Sequence, residues 1–209
     1  MVYPSKPEVL RVLYLTSNPD QGTPLRVDAE VKKVLKSIRG AKYRDQVDLQ
    51  VRPATTSQDL IDGINHIRPH IVHFSGHGDA GWLAFDNASL DDPQSVMLAF
   101  DVMAELLAAT STTPKLLVMN ACSTLEGSDV RLKAVPLLIA MADPVGDAGA
   151  GVFASQFYAA LASAQPVGAA QRQSQAMTRT ALLREDADLP SLVSRDDIDP
   201  EKETLIVDP

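Results

Sequence analysis

Short apolar runs of strand length alternate along this chain with segments of helical periodicity, and this alternation limits the possible folds more than any other feature. A strand–helix–strand order is typical of a parallel sheet with helices on its faces. Near-continuous apolar runs predict strands buried on both faces, while an alternating run predicts a strand nearer the sheet edge. The predicted strands are 10–16, 47–52 (the alternating run), 70–75, 115–121 and 135–141.

Apolar residues at helical spacing predict the connecting helices. The predicted helices are Val27–Ile38, a short helix capped by Ser57 and closed by Pro69, Asp101–Ala109, Ala148–Ala162 and Val167–Leu183. In the first helix, Glu30 is expected to face away from the apolar residues. Trp82–Phe85 is predicted to be one arm of a hairpin, and Leu205–Val207 a late strand. No repeat or linker divides the chain, so residues 1–209 are predicted to form a single α/β domain with helices on both faces of a mostly parallel sheet.

Charge and cysteine content exclude several classes of protein. The formal net charge of −8 argues against a nucleic-acid partner, since phosphate contacts need clustered Lys and Arg. A single cysteine, Cys122, allows no intramolecular disulfide. The first residues contain no apolar run typical of a signal peptide, and the longest apolar stretch, Ala134–Ala142, is too short to span a bilayer. A cytoplasmic protein without membrane contact is therefore expected.

Two predicted strands end in residues that suit nucleophilic catalysis. Gly76-His77-Gly78 follows one strand, and Ala121-Cys122-Ser123 follows another. If these strands are neighbours, imidazole and thiol share the rim where parallel sheets gather reacting groups. A histidine can take the thiol proton, and glycine tolerates positive φ and lets a substrate backbone approach closely. The N–H groups of Gly78 and Cys122 could then receive the oxygen of a tetrahedral intermediate.

Simpler interpretations remain open at this point. A lone cysteine after a buried strand is often a small core residue, and Gly-His-Gly is often only a turn. His73, His77 and Cys122 could also bind zinc, but there is one thiol and no ligand pair with the usual short spacing, so no metal is expected. A flavodoxin-like small-molecule binder would need a Gly-rich phosphate loop after the first strand, which is missing, and no cofactor is expected.

The two motifs together resemble the CHAT family of caspase-like cysteine peptidases. Cys122 follows His77 by 45 positions, near the interval of about 50 between caspase histidine and cysteine. The similar segments, which extend over nearly the whole chain, are 13–19, 25–30, 71–78, 117–123, 139–147, 153–161, 189–190 and 199–200. The chain departs from the family in the short polar segment 124–133, where many relatives have a full helix. It departs from true caspases in the residues that flank the cysteine.

The resemblance implies a caspase-like three-layer sandwich and a cysteine endopeptidase with His77 as general base, Cys122 as nucleophile, and Gly78 and Cys122 as oxyanion donors. It also implies a bacterial antiviral or stress-response setting, a protein substrate, and activation by a sensor partner or by self-assembly. The alternative is a catalytically silent CHAT fold that acts as an interaction or assembly module.

The acidic residues of the predicted rim loops bear on specificity. Asp79, Asp143 and Asp147 could receive a basic P1 side chain, the one on the acyl side of the scissile bond, although each could equally be an ordinary loop or capping aspartate. The loop 142–147 should border Cys122 on the side away from His77, and it carries no Lys or Arg. A basic or neutral P1 residue is therefore expected rather than an acidic one.

Overall fold

The apolar runs form a six-stranded central sheet in the computed structural model, which describes residues 9–20, 22–181 and 183–206. Its strands, numbered in chain order and given in spatial order, are β2 (Val47–Arg52), β1 (Leu10–Ser17), β3 (Ile71–Gly76), β7 (Leu116–Asn120), β8 (Leu137–Met141) and β9 (Pro190–Ser194). The first five of these run parallel, and β9 is antiparallel to β8.

A small antiparallel sheet follows β3. It consists of β4 (Gly78–Asp79), β5 (Trp82–Asp86) and β6 (Ser95–Ala99). The pairing of β5 with β6 confirms the predicted hairpin arm. Because β4 begins one residue after His77, this sheet lies at the carboxyl-end rim of the large one.

Helices cover both faces of the central sheet. One face is covered by α1 (Val27–Arg39), α5 (Asp147–Leu161) and α6 (Val167–Thr180). The other face is covered by α2 (Ser57–Ile67), α3 (Phe100–Ala108) and α4 (Ser128–Leu132). The short helix α7 (Arg184–Ala187) leads into β9. Each face buries its own apolar cluster. The predicted α/β class, with a mostly parallel sheet and helices on both faces, is confirmed. None of the helices in the described part of the chain is long and apolar enough to span a membrane.

The cap of α2 differs from the prediction by one residue. Thr56, not Ser57, accepts the hydrogen bond from the Asp59 N–H, while the Asp59 carboxylate accepts from the Thr56 N–H, which completes a capping box. The helix ends at Arg68 in a left-handed conformation, directly before Pro69 as expected.

The last strand was assigned to the wrong segment. Leu205 and Ile206 form no strand and instead pack against the α1/α5 side of the core, and Val207 lies outside the described residues. The edge strand is β9, which begins at Pro190, a position where the missing N–H is tolerated. Four of its five residues are only partly buried, so the apolar signal that marked the central strands is weak there.

Candidate active site

Two parallel strands at the centre of the sheet end side by side, and the loops that follow them carry His77 and Cys122. Ser75 on β3 is the sheet partner of Asn120 on β7, so each functional residue follows this matched pair by two positions. The carboxyl ends of parallel strands are where open α/β sheets gather reacting groups. The structure thus brings the two residues to one edge of the sheet, where both are partly exposed.

Gly78 joins the two loops, because its backbone packs directly against the loop that carries Cys122. A Cβ atom built on Gly78 would lie 3.0 Å from Ala121 Cβ, 3.2 Å from the Cys122 carbonyl oxygen and 3.3 Å from Thr124 Cγ2. Neither Gly76 nor Gly78 has a positive φ, so the first of the two reasons predicted for these glycines is wrong. What the site requires of Gly78 is the absence of a side chain where two backbone segments meet.

A backbone carbonyl from the first connecting loop orients the His77 ring. Nε2 of the ring lies 2.8 Å from the carbonyl oxygen of Thr23. Because a carbonyl oxygen only accepts, Nε2 carries the proton, and Nδ1 of the neutral ring keeps the lone pair that a base needs. No residue pattern predicts this contact, since any residue can supply a backbone carbonyl.

Asp20 holds the loop that presents this carbonyl. Its carboxylate accepts from Thr23 Oγ1 at 2.7 Å and from the Gly22 N–H at 2.8 Å. The hydrogen bond from Thr23, the largest cause, lowers the pKa of Asp20, with smaller contributions from Gly22 and from the nearby His77. Asp20 is thus an ionised side chain that fixes the partner of His77.

Thr124 fixes the turn after Cys122. Its Oγ1 lies 3.0 Å from the Ala121 carbonyl oxygen and accepts from the Met141 N–H on β8 at 2.9 Å. Ser123 has φ 51°, in the left-handed region that residues with a Cβ adopt rarely. Contacts with the neighbouring strand therefore maintain a turn that local preference does not favour, and this turn sets the position of Cys122.

A narrow pocket of about 20 Å³ lies beside Cys122, between the start of α1, the ends of β3 and β7, and the start of α5. It is lined by Leu25, Arg26, Val27, Glu30, Ser75, Gly76, Asn120, Ala121, Cys122, Val145, Asp147 and Ala150. Its charged lining residues are one cation and two carboxylates. The cation, Arg26, is paired with Asp28 through an Nε–Oδ1 distance of 3.0 Å, so the charge that faces the pocket is predominantly negative.

The three predicted specificity aspartates do not share this pocket. Asp147 lines it, and its Oδ2 accepts from the Arg26 N–H at 3.1 Å. Asp79 is exposed, outside the pocket, with Oδ1 bound to the neighbouring Ala80 N–H. Asp143 is also exposed and does not line the pocket. Of the loop 142–147 predicted to border the nucleophile, Val145 and Asp147 reach the pocket.

Glu30 lines the pocket, although it was expected to face away from the apolar residues of α1. It is 6% exposed, because residues 30, 34 and 38 lie four positions apart and share the buried face. Its carboxylate accepts from Tyr14 Oη and, at 2.8 Å, from Asn120 Nδ2. The Oδ1 atom of Asn120 is buried without a hydrogen-bond partner among the described residues.

Two aromatic residues and His73 complete the network beneath the pocket. The His73 ring stacks on Tyr14 with centroids 4.0 Å apart, and its Nδ1 lies 3.1 Å from Tyr158 Oη. Its Nε2 lies 3.6 Å from Glu30 Oε1, beyond hydrogen-bond distance. These residues come from β1, β3, α1 and α5, so the network joins the elements that carry the rim.

The charge state of this network follows from its burial. Burial lowers the pKa of His73, which is therefore neutral at pH 7. Burial raises the pKa of Glu30, but its interactions with His73, Tyr14 and Ser75 lower that pKa by more, so the carboxyl group is ionised. The pocket thus rests on a buried carboxylate that is stabilised by neutral donors, with no formal cation against it among the described residues.

The residues of the zinc alternative do not form a ligand cluster. Within residues 9–20, 22–181 and 183–206, no group of three or more His, Cys, Asp or Glu side chains could hold a metal ion. His73 is committed to the buried network described above, whereas His77 and Cys122 lie on the partly exposed rim.

Comparison with known proteins identifies the family and the fold. The family model for the CHAT domain matches residues 8–189. The crystal structure of the Arg-specific cysteine proteinase gingipain R is similar, with a TM-score of 0.61 and 14% sequence identity over 95% of this chain and 48% of that one. This chain therefore spans about half the length of that proteinase, and the two share a caspase-like fold. No curated protein matches this chain.

Proposed function

The chain belongs to the CHAT domain family, and on that premise we propose that it is a cysteine endopeptidase in which His77 and Cys122 form the catalytic dyad. One observation carries the proposal: the loop of His77 and Gly78 packs against the backbone of Cys122, while the Thr23 carbonyl leaves Nδ1 of His77 as the basic nitrogen. A base oriented by a third group, next to a thiol on the same rim, is the arrangement that activates a cysteine nucleophile.

The proposed reaction has two halves. Nδ1 of His77 takes the thiol proton, and the Cys122 sulfur attacks the carbonyl carbon of the scissile peptide bond. The N–H groups of Gly78 and Cys122 donate to the oxyanion, and the collapse of the intermediate breaks the C–N bond while His77 protonates the leaving amine. A water molecule, deprotonated by His77, then attacks the thioester, which releases the carboxylic acid and restores the thiol.

The pocket beside Cys122 supports a basic P1 residue, with a neutral one as the second choice. Glu30 and Asp147 supply two carboxylates, and Asp28 offsets the charge of Arg26. The pocket must widen to admit a P1 side chain. A guanidinium or ammonium group that enters it would compensate the buried charge of Glu30, whereas an acidic P1 side chain would add a like charge in a low-dielectric setting. The unpartnered Oδ1 of Asn120 offers a further acceptor.

Covalent labelling tests the dyad without knowledge of the substrate. A peptide acyloxymethyl ketone should label Cys122 in the wild-type protein, and Cys122→Ala should abolish labelling while the thermal unfolding transition is retained. His77→Ala should slow labelling by at least about 10²-fold, the usual contribution of a general base. His66→Ala, at an exposed position on α2, is the matched control and should label normally. Labelling that is independent of His77 would contradict the proposal and favour the catalytically silent alternative.

Ketones that differ only at P1 test the pocket. Arg or Lys at P1 should react fastest and Asp or Glu slowest. Asp147→Asn should reduce the preference for a basic over a neutral P1 residue by about tenfold, equivalent to about 1.4 kcal/mol. Asp143→Asn, on the same loop but outside the pocket, should leave the preference unchanged. Fastest reaction with P1 Asp would show that the pocket is assigned to the wrong residues.

The setting and the control of this activity also belong to the proposal. The family resemblance supports a role in bacterial antiviral or stress responses, with a protein substrate and activation by a sensor partner or by self-assembly. The labelling rate as a function of protein concentration separates these two routes. A rate constant that rises with concentration supports self-assembly, and a low, concentration-independent one supports a partner.

A further inference from the structure

Arg131, on the short helix α4, is completely buried and has no counter-ion in the described part of the chain. Its exposed fraction is 0%, and no carboxylate of the described residues lies within ion-pair distance of it. Burial lowers its pKa to about 10, so the guanidinium still carries its charge at neutral pH. An unpaired buried charge is among the most costly features a fold can contain. Stability of the fold therefore does not explain why an arginine is buried at position 131.

The hydrogen bonds of Arg131 point to that reason. One nitrogen, Nη2, donates to the backbone carbonyl oxygens of both Thr124 and Glu126, the latter at 3.0 Å. The guanidinium lies 4.1 Å from the centre of the Phe100 ring, in a cation–π contact. Nε and Nη1 have no hydrogen-bond partner among the described residues. Within the described residues, the side chain thus donates hydrogen bonds only to the loop that follows Cys122.

Both ends of that loop have a left-handed backbone, which is unfavourable at Ser123 and tolerated at Gly127. Ser123 has φ 51°, and Gly127 has φ 71°. The two carbonyls bound by Arg131 lie between these positions, while the side chain of Thr124 attaches the same turn to Ala121 and to β8. Arg131 therefore adds two hydrogen bonds to a loop that β8 also holds, through Thr124 and through the Leu125 N–H, which donates to the Met141 carbonyl oxygen at 2.9 Å. The loop in turn sets the direction of the Cys122 side chain and N–H.

The charge of Arg131 acts at the same place. The Cα atoms of Cys122 and Thr124 lie at most about 7.6 Å apart, because two residue steps separate them. Nη2 of Arg131 donates to the Thr124 carbonyl oxygen. A buried cation that bonds this loop favours the negative charge that develops during the reaction at the sulfur and at the oxyanion.

We propose that Arg131 is a positioning residue of the active site: it clamps the Cys122–Gly127 loop through two backbone carbonyls and supplies the buried positive charge behind the nucleophile. This proposal rests on the proposed function for its purpose. Its physical content, a clamp and a charge acting on Cys122, can be measured without any substrate.

The test compares Arg131→Met, which removes charge and hydrogen bonds, with Arg131→Lys, which keeps the charge but not the planar fork. The rate of Cys122 alkylation by iodoacetamide is measured from pH 5 to 9, together with the rate of labelling by the peptide ketone. Arg131→Met should reduce alkylation at pH 7 at least tenfold and move the midpoint of the rate–pH profile upward by at least one pH unit. Arg131→Lys should keep the wild-type midpoint but lose at least fivefold in peptide labelling.

Arg179→Met, at an exposed arginine paired with Asp188, is the matched control and should leave both rates unchanged. A wild-type midpoint and rate in folded Arg131→Met would overturn the proposal. If Arg131→Met does not fold, Arg131→Lys tests the clamp instead. A wild-type rate of peptide labelling in Arg131→Lys would equally overturn the clamp. An equal labelling rate in His77→Ala and in the wild-type protein would instead contradict the catalytic dyad. The midpoint of the rate–pH profile with iodoacetamide would still test the role of Arg131.

Discussion

Replacing Gly78 by alanine should damage the activity of this protein far more than its stability. The added Cβ would lie 3.0 Å from Ala121 Cβ, 3.2 Å from the Cys122 carbonyl oxygen and 3.3 Å from Thr124 Cγ2. Ordinary contacts between such atoms begin near about 3.5 Å, so the two loops must separate by roughly 0.5 Å. All three neighbours belong to the Cys122 loop, which therefore moves as a unit away from His77.

The structural strain sets the expected magnitudes. Overpacking of this kind costs about 1–3 kcal/mol in the free energy of unfolding, and about 2–4 °C in Tm per kcal/mol for a chain of this size. The proposed oxyanion donors, Gly78 and Cys122, must lie about 2.7–3.1 Å from the oxyanion, and loss of one such donor costs about 10²–10³ in rate. A displacement of roughly 0.5 Å should therefore cost about 10- to 100-fold in the rate of labelling by the peptide ketone, with little change in ketone affinity.

The assay pairs calorimetric unfolding with the labelling kinetics of the wild-type protein and Gly78→Ala. Gly40→Ala is the matched control, since its Cβ would lie 3.5 Å from the Ser37 carbonyl oxygen, an ordinary contact far from the rim. It should leave both Tm and labelling unchanged. A wild-type labelling rate in folded Gly78→Ala would refute the reasoning, because it would mean that the separation of the two loops does not matter to the chemistry.

Three further outcomes are expected from the same interior. Gly76→Ala should destabilise the fold by about 3 kcal/mol or more, because its Cβ would lie 2.4 Å from the backbone oxygen of Ser17, and a wild-type Tm would be incompatible with this packing. The folded state lowers the pKa values of His73 and Glu30, which contributes stability that is fully present above pH 6.5 and is lost as the pH falls towards the folded-state pKa values. The free energy of unfolding in urea should therefore be lower at pH 5 than at pH 7.5. Equal free energies at the two pH values would contradict the assignment of a neutral His73. Tyr14→Phe removes a buried donor to the Glu30 carboxylate and should cost about 1.5–3 kcal/mol by urea unfolding; a cost under about 0.5 kcal/mol would show that Glu30 does not depend on this bond.

The central strands could be predicted from the sequence because their environment is uniform. Residues of β1, β3, β7 and β8 are covered by helices on both faces, so their sequences are almost wholly apolar, and the predicted bounds agree within two residues at each end. The same logic placed Gly-His-Gly and Ala-Cys-Ser at strand ends, and the parallel pairing of β3 with β7 brought them to one edge. The spacing of apolar residues, every two residues in a strand and every 3.6 in a helix, is a local property that can be read directly from the sequence.

The residues around the rim could not be predicted, because their roles depend on groups remote in the chain. Glu30 is buried since Tyr14 and Asn120 satisfy its carboxylate, and a pattern that sorts charged residues outward must misplace it. Arg131 lies in a short polar segment that reads as exposed, yet its partners are backbone carbonyls and an aromatic ring. The partner of His77 is also a carbonyl, which any residue could supply.

Glu30 and Arg131 give the site a polarity that neither would give alone. Glu30 belongs to the face covered by α1 and α5, and Arg131 stacks on Phe100 in the face covered by α3 and α4, so the end of β7 lies between a buried carboxylate and a buried guanidinium. In the proposed mechanism, the carboxylate attracts a cationic P1 side chain but repels the negative charge that develops on the Cys122 sulfur. The guanidinium offsets that opposition from behind the loop. A basic P1 residue would add a second offset on entry, so in this arrangement the preferred substrate itself helps to stabilise the charged nucleophile that attacks it.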